Sequence, residues 1–192
     1  QLYMDMLKRS YGAIKAACPS IVVVAGAPTP TGGGGSTAIE DNVYITQLYN
    51  NGLRNYCDAV GAHPSGFRSS PLVTMTTPGA LGPYADHHSF FFQETMRIYR
   101  AVMVQNSDSD KQIWATEFGW PVGTGGGAHP AGQFNNANDV ANYYPQAFQW
   151  AKQQGWAGPM FAWQWDFGRG GEVGAFAIKG SPTEGKLRDM AK

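Results

Sequence analysis

Apolar residues along the chain follow two alternating patterns. Met4, Leu7, Tyr11 and Ile14 are spaced by three and four, which predicts a helix over residues 2–17 with one apolar face, ended by Pro19. Ile21–Ala25, IVVVA, is instead a continuous β-branched run, the pattern of a parallel strand covered on both sides. The alternation then repeats. Glu40–Tyr49 reads as a second helix, Asn50–Asn55 as a break and Asp58–His63, DAVGAH, as a short second strand. Phe92, Met96, Tyr99 and Met103 mark a third helix, closed by the turn residues Asn106–Asp110 ahead of a third strand at Ile113–Glu117. Val140, Tyr144, Ala147 and Ala151 mark a fourth helix broken by Gly155, and Met160–Trp165, MFAWQW, is the fourth strand. Ala175–Ile178 reads as a short extended piece and Pro182 onward as a terminal helix.

A helix followed by four strands, each leading to a further helix, calls for an α/β fold with a parallel sheet and right-handed crossovers. The connections are lopsided. Those from strand to helix are long, including APTPTGGGGST, Pro64–Pro83 and Phe118–Gln133, whereas those from helix to strand have only a few residues. Elaboration on one side puts the working surface at the C-terminal ends of the strands, in (β/α)8 barrels and open sheets alike. The glycine runs Gly32–Gly35 and Gly123–Gly127 match neither phosphate-binding pattern that opens directly into a helix, so they read as loop rims.

Composition narrows the function classes. A chain of 192 residues, 43% of them hydrophobic, can bury a core as one domain over residues 1–192. Fourteen basic and fourteen acidic residues cancel, and no Lys/Arg cluster stands out, so a nucleic-acid partner is not expected. The longest apolar runs are strand-sized, which argues against a membrane span. Gln1 opens inside an apparent helix rather than ahead of one, so a natural start upstream of it is expected. Cys18 and Cys57 are too few for a disulfide scaffold and read as two buried thiols; the alternative is one bond between them, at the same end of neighbouring strands, in an oxidising compartment.

Most carboxylates, among them Asp5, Glu94, Asp108, Asp110, Asp139, Glu184 and Asp189, fall on helix surfaces or turns, and Asp58 begins a strand on the stability face. Glu117 differs. It ends a buried strand between Trp114, Phe118 and Trp120, where an unpaired carboxylate would be costly and so should have a partner, a shifted pKa or a role. His63 ends the preceding strand at the matching position, as a core histidine or as part of the same mouth. Trp163 and Trp165 flank Gln164 at the end of the next strand, an arrangement suited to stacking sugar faces and holding hydroxyls as well as to filling a core. Asp166 and Glu172 follow as loop-ordering residues or ligand contacts. His87 and His88 lack a Cys or carboxylate at ligand spacing and read as surface residues, so no metal and no cofactor is expected.

The segments DAVGAHP, QIWATEFGW and GPMFAWQWDFG, with KGSPTEGKLRDM, resemble the C-terminal half of a retaining (β/α)8-barrel glycoside hydrolase, of the large clan with xylosidase-like and cellulase-like members. The resemblance covers nearly the whole chain as strands five to eight of a TIM barrel. It implies that Glu117 is the nucleophile, that His63 shapes the nucleophile's surroundings and that Trp163 floors a sugar subsite, with Trp120, Gln164 and Trp165 as further substrate-binding candidates. It also implies a carbohydrate substrate, a secreted protein and polysaccharide degradation. The clan's acid/base glutamate follows an asparagine at the end of strand four, and no such Asn-Glu pair occurs in this sequence. On this reading strands one to four come from upstream residues or a second chain, and the present chain alone is expected to be inactive. The alternative is a non-catalytic carbohydrate-binding or structural protein that retains half of the barrel. A weaker option pairs Glu117 with Asp166 or Glu172 in an inverting or non-glycosidic hydrolase.

Overall fold

Each expected helix forms with its apolar stripe turned inward. The computed structural model describes residues 1–33, 35–77, 86–123, 135–168 and 171–192. Gly34 and residues 124–127 of the two glycine runs, much of the expected rims after the second and third strands, and residues 169–170 lie outside the described residues. Helix α1, Leu2–Ala17, buries Met4 and Leu7, and α2, Asp41–Asn50, buries Ile45, Leu48 and Tyr49. Helix α3, Phe92–Gln105, buries Phe92, Met96, Tyr99 and Met103, the four positions the spacing singles out. Helix α4, Ala137–Gln154, starts where the Asn136 side chain accepts the Asp139 N–H at 2.9 Å, and it stops at Gly155, whose φ of 68° suits a residue without Cβ. A single turn, α5, spans Gly171–Gly174, and α6, Pro182–Met190, opens on proline.

The strands are β1, Val24–Ala25; β2, Ala59–Ala62; β3, Gln112–Phe118; and β4, Ala157–Ala162. They form a four-stranded sheet in sequence order, and every pairing is parallel, so the described residues make a mixed α/β fold consistent with part of an α/β barrel. Val60 and Ala62 of β2 and Ile113, Ala115 and Phe118 of β3 face the helices and join their apolar residues in one core. The other face of the sheet is open: Trp114 is partly exposed and Phe161 half exposed, with their rings 6.4 Å apart.

Three stretches depart from the sequence reading. Strand β1 has two residues rather than five, because the Asp58 carboxylate takes the Val23 N–H at 2.8 Å and residues 53–55 of the neighbouring connection wind into a 3-10 turn. Ile21 bonds instead to the Cys18 carbonyl at 3.2 Å and to the Lys15 ammonium at 2.6 Å, and Ile21 and Val22 stay half exposed. Strand β4 begins three residues early, directly after Gly155, and ends before Trp163. A Cβ on Gly158 would stand 2.5 Å from the Trp114 ring, so glycine is what admits that indole. Pro159 falls at a register shift on the outer strand, where a missing N–H does least harm. Of residues 175–178, the first two turn, and the Ile178 N–H bonds to the Gln164 carbonyl at 3.0 Å without forming a strand.

Two carboxylates are also placed differently. Asp108 is buried rather than a turn-surface residue: it accepts the Tyr49 hydroxyl at 2.9 Å and pairs with Lys111 at 2.9 Å. Asp41, at the start of α2, is 0% exposed and accepts His88 Nε2 at 3.0 Å and the Tyr99 hydroxyl at 2.8 Å. Burial would raise the Asp41 carboxyl's pKa, but the bonds from His88 and Tyr99 outweigh it and hold the group below its ordinary value. His88 is therefore a buried residue, not a surface one. Asp58 keeps the structural place expected of it, bound to Lys15, Val23 and Tyr11. Cys18 and Cys57 are both free thiols, but only Cys57 is buried; Cys18, at the end of α1, is partly exposed beside Ser20.

Candidate active site

The C-terminal ends of β2, β3 and β4 carry the candidate chemistry. Parallel pairing sets Ala62 beside Ala115, so the residues that follow, His63 and Glu117, leave adjacent strands at the same end of the sheet. His63 Nδ1 lies 3.9 Å from Glu117 Oε2. The Glu117 side chain is 42% exposed, so the carboxylate opens to solvent at the strand's mouth instead of lying unpaired in the core. Its neighbour is the more enclosed of the two. Burial pushes the His63 pKa below its ordinary value, and the Glu117 charge partly offsets that push. A neutral imidazole is thus the state that neutral pH favours at His63.

Strand β4 brings Trp163 to the same end. Its backbone N–H bonds to the Phe118 carbonyl at 2.8 Å, and its carbonyl accepts the Tyr144 hydroxyl at 3.0 Å. Gly119 makes this approach possible, since a Cβ there would meet the Trp163 carbonyl at 2.5 Å and the Tyr144 hydroxyl at 2.9 Å. The Trp163–Gln164 peptide is cis. The Trp163 ring is partly exposed and packs edge-on against Phe167 at 5.3 Å. Trp165 is 53% exposed at the same end of β4. Glu117, His63, Trp163 and Trp165 are therefore the predicted residues that the fold gathers at one end of the sheet and leaves within reach of solvent.

Two predicted substrate contacts turn out to be structural. Trp120 is 1% exposed, packed between Phe92, Phe118 and Tyr144, and its indole N–H donates to the Ser69 carbonyl at 2.7 Å. It anchors the connection after β2 and offers a ligand no surface. Gln164 is also buried: its amide N–H donates to the Val173 carbonyl at 2.9 Å and its amide oxygen accepts the Phe167 N–H at 2.7 Å. Both ends of that side chain tie its own loop together. Asp166 pairs with Lys179 at 2.6 Å, which gives it the loop-ordering role. Tyr144 and Gly119 are positioning residues that the sequence reading missed. The available signal was the glycine two positions after the carboxylate near the strand's end.

No family model matches the chain, and no curated protein matches it. Among solved structures, the chain is similar to an endo-laminarinase from Formosa Hel1_33_131, with a TM-score of 0.49 and 17% sequence identity over 92% of this chain and 49% of that one. The chain thus spans about half the length of that enzyme.

Proposed function

We propose that the chain carries the nucleophile half of a retaining glycoside hydrolase acting on a polysaccharide or oligosaccharide. The observation that carries this reading is the exposed Glu117 carboxylate at the mouth of β3, with His63 at 3.9 Å on the adjacent strand end. A Glu117 oxygen would attack the anomeric carbon as the bond to the leaving oxygen breaks, and a second carboxyl group would protonate that oxygen. Water would then attack the same carbon, give a proton to that second group and free Glu117. His63, held neutral by burial, would limit the freedom of the carboxylate without neutralising it. Trp163 and Trp165 offer ring faces for the sugar.

Retention needs two carboxyl groups about 5 to 5.5 Å apart. The sequence supplies no Asn-Glu pair, and Asp166 is engaged with Lys179. On this reading the acid/base group belongs to further strands that cover the open face of the sheet around Trp114 and Phe161 and complete a (β/α)8 barrel. Those strands would come from the rest of the same protein or from a second chain. Secretion goes with a polymeric substrate. The same shortage of carboxylates favours a second reading, in which the chain binds carbohydrate without cleaving it.

Glu117→Gln in the complete protein separates the two. Loss of turnover with sugar binding retained is the expected result, whereas near-normal hydrolysis by this variant would remove Glu117 from the mechanism.

A further inference from the structure

Glu40 stands 47 positions before His87 but meets it and His88 in space. Glu40 directly precedes α2, and the two histidines lie on the connection that leads into α3. One ring nitrogen of each histidine and one Glu40 oxygen lie within 4.8 Å of one another. We propose that these three side chains bind a divalent transition-metal ion of the zinc type, outside the Glu117 site and independent of its chemistry. Imidazole nitrogen and carboxylate oxygen are ligands this ion accepts readily. Donor atoms on a tetrahedral zinc stand about 3.3 Å apart when the bonds are about 2.0 Å, a spacing between the 2.8 Å that separates His87 Nε2 from Glu40 and the 4.8 Å that bounds the cluster.

The surroundings of the cluster match those of a metal site. His88 Nε2 engages the buried Asp41 carboxylate at 3.0 Å, the kind of carboxylate–histidine pairing that orients metal-bound imidazoles. His87 is held from behind as well. Its Nδ1 lies 2.9 Å from the Ser89 hydroxyl, which reaches Asp41 at 3.4 Å, so Nε2 is the nitrogen turned toward Glu40, at 2.8 Å. His88 leans directly on the buried carboxylate, whereas Nδ1 of His87 accepts the Ser89 N–H at 3.3 Å. Access is also present: a surface cavity of about 550 Å³ is lined by Glu40, His87 and His88. Asp86 and Glu94 line the same cavity and outnumber its one arginine, Arg97, which favours a cation there. The ion would replace the His87–Glu40 hydrogen bond and tie the start of α2 to the approach to α3.

The test is titration of the chelator-treated protein with zinc chloride by calorimetry and with cobalt chloride by visible absorption. One ion per chain is expected, with cobalt bands typical of nitrogen and oxygen ligands. Glu40→Gln and His87→Gln should each weaken binding by about tenfold or more, whereas Cys18→Ser should leave it unchanged. Glu40 and His87 are both partly exposed, so neither variant should unfold, and circular dichroism confirms that each retains its structure. The proposal is overturned if the parent binds neither ion, if both cluster variants bind as the parent does, or if Cys18→Ser abolishes binding.

Discussion

Replacing Asp41 with alanine tests the buried anchor that sets the long connection after β2 against α2 and α3. The carboxylate is 0% exposed and accepts from His88 at 3.0 Å, Tyr99 at 2.8 Å and, more weakly, Ser89 at 3.4 Å. Each hydrogen bond to a charged group contributes about 1.5 to 3 kcal/mol, and a donor left buried without a partner adds its desolvation penalty. The three bonds share one acceptor, so their contributions do not add. Loss of a buried charge whose hydrogen-bond partners stay behind, about 3 to 5 kcal/mol, is the better scale. With an m-value of about 2 kcal/mol/M in urea, the unfolding midpoint should fall by roughly 1.5 to 2.5 M. Tryptophan fluorescence reports this directly, because Trp120 and Trp150 are buried in the same core. Tyr99→Phe removes one donor while the carboxylate keeps His88, and should cost about 1 kcal/mol. An Asp41→Ala protein within about 1 kcal/mol of the parent at unchanged m would refute the anchor, because this much buried polar surface cannot be lost at so small a cost.

Two further outcomes follow. Burial pushes the Cys57 thiol up to about 11, from an ordinary value of 9.0, so the folded state favours the protonated form. The stability this gives is fully present below pH 9 and is lost as pH rises toward 11; at pH 8 a thiol reagent should label Cys18 promptly and Cys57 only on unfolding, and prompt labelling of both would contradict the burial. Trp120→Phe should destabilise the protein by about 1 to 3 kcal/mol through the unpaired Ser69 carbonyl and lost packing, with sugar binding unchanged. Trp165→Ala should do the reverse, weakening sugar binding with little effect on stability, and an exchange of these two phenotypes on paired melting and binding curves would count against the site as described.

Much of this architecture was legible because burial leaves a periodic trace. The three-and-four spacing in α3 names the side chains that end in the core, and the run at 113–117 names β3. One-sided loop lengths likewise point to the end of the sheet where His63 and Glu117 meet. What stayed hidden depends on contacts distant in sequence. Asp41 and His88 are separated by 47 positions, so neither spacing nor composition could pair them, and two adjacent histidines with no carboxylate at ligand spacing look like surface. Trp120 and Gln164 were misread for a related reason. An aromatic or amide beside a strand end serves a sugar or a core equally well, and only the partners Ser69 and Val173 decide. Strand β1 shortened because a side chain, Asp58, took the Val23 backbone donor that a neighbouring strand would have used.

The central claim is that Glu117 forms a covalent bond to the sugar. The complete protein can be treated with 2-deoxy-2-fluoro-glucosyl and 2-deoxy-2-fluoro-xylosyl fluorides, whose leaving group needs no protonation, then digested and analysed by peptide mass spectrometry. The fluorine slows release of the intermediate, so the sugar should remain on the enzyme. A single fluorosugar mass on the peptide containing Glu117, absent in Glu117→Gln, is the predicted result. A label on a different carboxylate, or one that persists in Glu117→Gln, would contradict it.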